Sequence, residues 1–187
     1  MYCYRDWYYK DWQAEDKVEN GRKRTVYVYK GPFYLLPERT SRFKGICAAA
    51  AAVYLAFFVI LNFFPSPCGH LPQLGGAALL GFVPLLCALA GLPALLSADR
   101  RMTFRRFHRA IIRLRWAAIL AFVIAIAHIS LELYHMISGG YAFSGEAYYF
   151  VILVLELADS GFSAWKLLKF PFPKEYAKRG ESPIYDD

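Results

Sequence analysis

His128, Glu132 and His135 stand at i, i+4 and i+7 within an apolar run from Trp116 to Ile137. At 100° per residue they fall within about 60° of arc, a single polar stripe on an otherwise apolar helix. The run is long enough to cross a bilayer, where ionisable side chains are costly and mark proton relays, ion paths or interhelical networks. Ala117, Ala121 and Ala125 continue the stripe with small residues, so this face is expected to turn into the protein.

A second apolar run, 147–168, repeats the arrangement. Glu156, Asp159, Ser160 and Ser163 share about 100° of arc, and Val151, Leu155, Leu157 and Phe162 fill the remainder. A short connection joins the two runs, so the polar faces must meet each other or a wet cavity. An unpaired ionised side chain would otherwise cost at least about 3 kcal/mol near the helix centre. With a rise of about 1.5 Å per residue, His135 falls near the outer boundary and Glu132 one turn deeper. His128 and Glu156 follow at similar depth, and Asp159 lies near the midplane. Such a graded ladder suits proton relay or a cation site better than a single catalytic dyad.

Glu132 and His135 also form a Glu-x-x-His pair, the unit from which di-iron carboxylate sites are built in helical bundles. On that alternative His128, Glu132, His135 and Glu156 would ligate a first-row divalent metal, and the chain would be a membrane-embedded metalloprotein, an oxidoreductase among the options. The second run offers Glu156 and Asp159 at this spacing and so departs from the pattern. A third use of the same residues is an interhelical hydrogen-bond network with neutral or shared-proton carboxylates. No cofactor beyond this metal alternative is expected.

The elements that would position these residues follow from composition. A chain of 187 residues that is 57% hydrophobic and 18% aromatic carries more apolar surface than a soluble domain of this size can bury. Four runs reach the length of about 20 residues needed to span: 46–64, 74–96, 116–137 and 147–168. The expected fold is an all-α membrane protein, a four-transmembrane-helix bundle over 46–168. It is flanked by a cytoplasmic N-terminal segment, 1–45, and a cytoplasmic tail, 169–187. No cleavable signal is expected, because the first 45 residues are charged and aromatic.

The net charge of +7 is explained by where it sits. The loop 97–115 holds Arg100, Arg101, Arg105, Arg106, Arg109, Arg113 and Arg115 against one acid, Asp99, whereas the connections 65–72 and 138–146 contain no Lys or Arg. The basic loop should stay in the cytoplasm with both termini, in a plasma membrane of the bacterial inner-membrane type. Its simplest role is topogenic, and its functional role would be contact with anionic headgroups, at about 1 kcal/mol per basic residue near the surface. Membrane lipids are the expected partners, with a homo-oligomer or a larger membrane complex. Nucleic acid is not expected, since Phe104 and Phe107 fit interfacial anchoring equally well.

Along the chain, Asn20-Gly21 between Trp12–Val18 and Arg24–Tyr29 predicts a β-hairpin. Gly31-Pro32 then leads to a short third strand at Phe33–Leu36. Asn62 should bond within the end of the first span, which Pro65 stops. In the second span Ala77, Gly81, Pro84, Ala88 and Gly91 share one face, a pattern for close helix approach, and Pro84 should kink it. Cys68 and His70 are too few to make a metal site, and Cys3, Cys47, Cys68 and Cys87 have no close spacing and predict no disulfide. Phe170-Pro171-Phe172-Pro173 ends the last helix.

No phosphate-binding glycine loop, zincin motif, nucleophile elbow or Cys-x-x-Cys is present, so enzymology of the soluble type is unsupported. The expected function is a small non-enzymatic accessory subunit, or a proton- or cation-handling component, with a polar seam between spans three and four. The alternatives are the metalloprotein above and a structural protein that contacts anionic lipid.

Overall fold

The computed structural model describes residues 11–19, 22–63, 72–139 and 143–176. They are mostly helical and divide into two compact units.

The first unit gathers described residues from three separated pieces, Met1–Thr40, Ala98–His108 and Phe172–Asp187. Strands β1 (Trp12–Glu19) and β2 (Arg22–Tyr29) form the predicted hairpin, in antiparallel register from Trp12 opposite Tyr29 to Glu19 opposite Arg22. That register leaves Asn20-Gly21 as a two-residue connection, which itself lies outside the described residues. The third strand, β3 (Phe33–Leu35), does not extend the hairpin. It is the centre of a second sheet, between β4 (Arg101–Met102) and β5 (Lys174–Glu175). The arginine loop is therefore not helical throughout, and the start of the tail is a paired strand. Leu35 N–H donates to Pro173 O and Leu36 N–H to Arg100 O, at 2.9 and 2.8 Å. Aromatic packing supplies this unit's core: Tyr34 stacks on Phe107 at 4.2 Å between ring centres, and Phe172 meets Phe107 edge-on at 5.3 Å. Phe172 has φ 41°, a left-handed conformation that costs a non-glycine residue about 1–2 kcal/mol, and its buried ring offsets that cost.

The second unit, Ser41–Ser97 and Arg109–Pro171, is helical. Helix α1 (Thr40–Phe63) begins earlier than the apolar run at Ile46, because a helix end needs backbone partners and not apolar side chains. Asn62 donates to Phe58 O at 2.8 Å, as its position near the helix end suggested.

The predicted second span is two helices, α2 (Pro72–Leu80) and α3 (Phe82–Leu96), broken at Gly81. Pro84 has no N–H to offer the carbonyl of Leu80, so the irregularity appears one turn before the proline. Ala77, Gly81, Pro84, Ala88 and Gly91 are all buried, which makes this the packing face the sequence indicated. A Cβ at Gly91 would meet Ala110 O and Leu114 at 3.1 Å, so any side chain there would require the following helix to give by a few tenths of an ångström.

Thr103 caps the next helix by accepting from Arg106 N–H. This helix runs as α4 (Phe104–Phe107), a π-helical turn (His108–Ile112) and α5 (Arg113–Gly139). The last helix is α6 (Phe143–Lys169), which contains the fourth predicted run. Three helical stretches are long and apolar enough to cross a membrane: Thr40–Phe63, Gly75–Leu96 and Phe104–Gly139. The predicted Cys68 and His70 lie outside the described residues, as do the residues from 177 onward.

Candidate functional site

The buried faces of α5 and α6 follow the helical period that the sequence displays. On α5 Ala117, Ala121, Ala125, His128, Glu132 and Met136 are buried. On α6 Tyr149, Leu153, Glu156, Ser160, Ala164 and Leu167 are buried, at spacings of three and four. The two helices pack along each other. Most of each face is small or aliphatic, and the polar members are almost completely enclosed: Glu132 is 0% exposed, His128 and Ser160 2%, and Glu156 4%.

Each polar group has a local setting. The Tyr149 hydroxyl and His128 Nε2 lie 3.3 Å apart with their rings edge-on, and the histidine tautomer decides which of them donates. Ser160 Oγ donates to Glu156 O at 2.8 Å and is also 3.1 Å from Leu157 O, a back-bond along its own helix. Tyr54 on α1 donates to Gly81 O at 3.0 Å and sits in the hydrophobic cluster with Leu85 and Ala121. The same break in α2 and α3 that exposes this carbonyl thus receives a donor.

The sequence-derived residues take three settings. His128 and Glu132 are buried on α5, and Glu156 and Ser160 on α6. Asp159 and Ser163 are half-buried on the flank of α6, where with Ser160 they border a cavity of about 70 Å³ among α1, α3, α5 and α6. His135 is half-buried, its ring edge-on to the exposed Tyr134 at 5.4 Å. Among the described residues no group of three or more His, Cys, Asp or Glu side chains is gathered closely enough to hold a metal ion. His128, Glu132, His135 and Glu156 are therefore not brought together here as a ligand set.

No family model, curated protein or solved structure matches this chain. The site has to be read from its own chemistry.

The arginines also divide. Arg100 pairs loosely with Glu38 at 3.7 Å on the surface of the first unit. Arg101 lies 5.1 Å from the centre of the Phe33 ring and 3.4 Å from the Glu175 carboxylate. Arg105 is half-buried, and Arg106, Arg109 and Arg113 are exposed. Arg115 turns back into the second unit, where Nε donates to Leu167 O at 2.9 Å and a terminal nitrogen to Phe170 O at 3.2 Å. It closes the C-terminal end of α6, whose last carbonyls have no helical partner.

Tyr149 and Tyr54 were not singled out by residue type and spacing, and Arg115 was read only as one of the loop arginines facing lipid headgroups. For Tyr149 a signal existed: it stands four residues before Leu153 and seven before Glu156, on the inward face. Its position among Tyr148 and Phe150 hides that.

Proposed function

We propose that this chain is an integral membrane protein that crosses the bilayer four times with both ends in the cytoplasm. In this reading it passes protons or a small cation along the seam between its last two helices, as a non-enzymatic component of a larger membrane assembly. The observation that carries the proposal is the enclosure of His128, Glu132, Glu156 and Ser160 on two packed helices whose outer faces are apolar. A purely structural seam would be served as well by leucine and alanine, whereas carboxylates and an imidazole each about one turn apart provide proton-exchanging groups along a path.

Helix α6 is the fourth crossing in this reading. Its 27 residues reach about 40 Å, and Val151, Val154, Leu155, Phe162, Trp165 and Leu168 are exposed on the face away from the seam. That face is apolar enough for lipid, while Glu156 is turned inward. Lys166 and Lys169 at its end agree with a cytoplasmic C-terminus.

The test is flux. The full chain, reconstituted in liposomes under an imposed potential, is expected to acidify the lumen. Glu156→Gln should reduce the rate at least tenfold without changing the helical content or the elution volume of the protein. Equal rates in wild type, Glu156→Gln and Asp159→Asn, with all three folded, would refute the pathway.

A further inference from the structure

Helix α1 is the least embedded of the apolar helices: 11% of its most apolar stretch is buried, against 33% for Gly75–Leu96 and 39% for Phe104–Gly139. It is held by side chains at its ends and middle. Lys44 Nζ donates to Leu96 O at 2.8 Å, Tyr54 reaches Gly81, and Leu61 packs with Tyr149 and Leu153. Between these points the cavity bordered by Asp159 runs along α1 from Phe43 to Tyr54. Its walls are alanines at Ala50, Ala51, Ala117 and Ala118 with aliphatic and aromatic neighbours, too small to close the gap, and Asp159, Ser160, Ser163 and Lys166 line its α6 side.

Length, width and charge describe the occupant. Eleven residues of helix rise about 16 Å, close to half of the roughly 30 Å hydrocarbon core, the depth of one leaflet. A gap of about 70 Å³ takes a few methylenes of a chain laid along the groove but not a second helix about 10 Å across. The Phe43 end of the groove is also the basic end of the unit. Phe43 meets Phe170 with ring centres 6.0 Å apart, Lys44 reaches the end of α3, and Arg115 joins the start of α5 to the end of α6. Arg42, Lys44, Arg113, Lys166 and Lys169 are therefore carried at one end, with no acid of this unit among them. Asp159 lies seven residues from Lys166, about 10 Å deeper along α6.

We propose that the groove between α1 and α6 seats one acyl chain of an anionic phospholipid, whose headgroup is held at its mouth by Lys166 and the neighbouring basic residues. The lipid completes the packing of α1. This inference rests on the membrane reading above, and its readout, lipid retention, is separate from flux.

Native mass spectrometry of the full chain, released from detergent with phosphatidylglycerol or with phosphatidylcholine of the same chains, tests it. Wild type should retain one phosphatidylglycerol, preferred by about fivefold for each basic residue that the headgroup engages. Ala51→Phe, which fills the groove from a half-buried position, should lower retention of both lipids at least tenfold. Lys166→Gln at the exposed mouth should keep the chain bound and lower only the preference. Equal retention of the two lipids by wild type, or undiminished phosphatidylglycerol on a folded Ala51→Phe, would overturn the proposal. Alkaline extraction separates the failures: release of the chain from membranes defeats the membrane reading and this one together. A chain that stays in the membrane without lipid preference defeats the groove alone.

Discussion

The Tyr149 hydroxyl lies 3.3 Å from His128 Nε2, joining α6 to α5 inside a face where Leu153 and Ala125 are completely buried. Removing the hydroxyl leaves the imidazole enclosed without this partner, and a buried polar group that loses its hydrogen bond costs about 1–3 kcal/mol. Tyr149→Phe should therefore lower stability by that amount in thermal or denaturant unfolding in detergent, while His128→Leu, Tyr149→Phe together should cost less than the sum of the single changes. A double variant whose cost equals that sum would show that the two side chains act independently.

At Gly81 the backbone of α2 and α3 breaks where Tyr54 crosses over to it. A Cβ there would approach Ala78 O to 3.1 Å and both the Tyr54 hydroxyl and the Phe58 ring to 3.3 Å. Gly81→Ala should push Tyr54 away from the carbonyl and cost about 1–3 kcal/mol, an overpacking penalty with a lost hydrogen bond. Tyr54→Phe should cost about 1 kcal/mol and make Gly81→Ala better tolerated. If Gly81→Ala stabilises the protein, as alanine would in an ordinary helix, the close approach is not a constraint.

What could be read from sequence was local or periodic. Asn20-Gly21 announces a hairpin because its turn chemistry is carried by two adjacent residues, and the inward faces of α5 and α6 repeat with the helical period. The sheet of β4, β3 and β5 has neither advantage. Its outer strands are two residues each, too short for alternation to register, and its pairing joins Tyr34 to Met102 and to Lys174 across long stretches of chain. Arg115 illustrates a different gap: charge counting assigns it to the loop, yet its length lets the guanidinium reach the end of α6. The broken second span was anticipated at Pro84 and appears at Gly81, one turn before the missing donor.

Arg115 supplies the next expectation. Its two donors take the Leu167 and Phe170 carbonyls, so Arg115→Ala should cost about 1–2 kcal/mol, and Arg115→Lys should recover only part, since an ammonium cannot span both carbonyls from a fixed fork. Hydrogen exchange should rise in the peptide covering 164–171 and not in the first half of α6. Equal protection in Arg115→Lys and wild type would mean that charge at this end, and not the fork, holds the helix terminus.

Tyr29 links the hairpin to the start of α4: its hydroxyl accepts from Phe104 N–H at 3.1 Å and donates to Pro32 O at 2.9 Å. Burial pushes its phenol up to about 12, and the Phe104 N–H, which favours the phenolate, pulls weakly the other way. An unfolded tyrosine ionises near pH 10. Between these values the unfolded chain has released the proton and the folded chain has kept it, so stability falls as pH rises. Below about pH 10 the contribution is fully present. The phenolate absorbance of wild type minus Tyr29→Phe should titrate near pH 12 in the folded protein and near pH 10 in denaturant. Tyr29→Phe should also cost about 1–3 kcal/mol at neutral pH, since Phe104 N–H and Pro32 O both lose a partner. A difference titration centred near pH 10 in the folded protein would mean that the hydroxyl is open to water and that the junction between hairpin and helix does not depend on it.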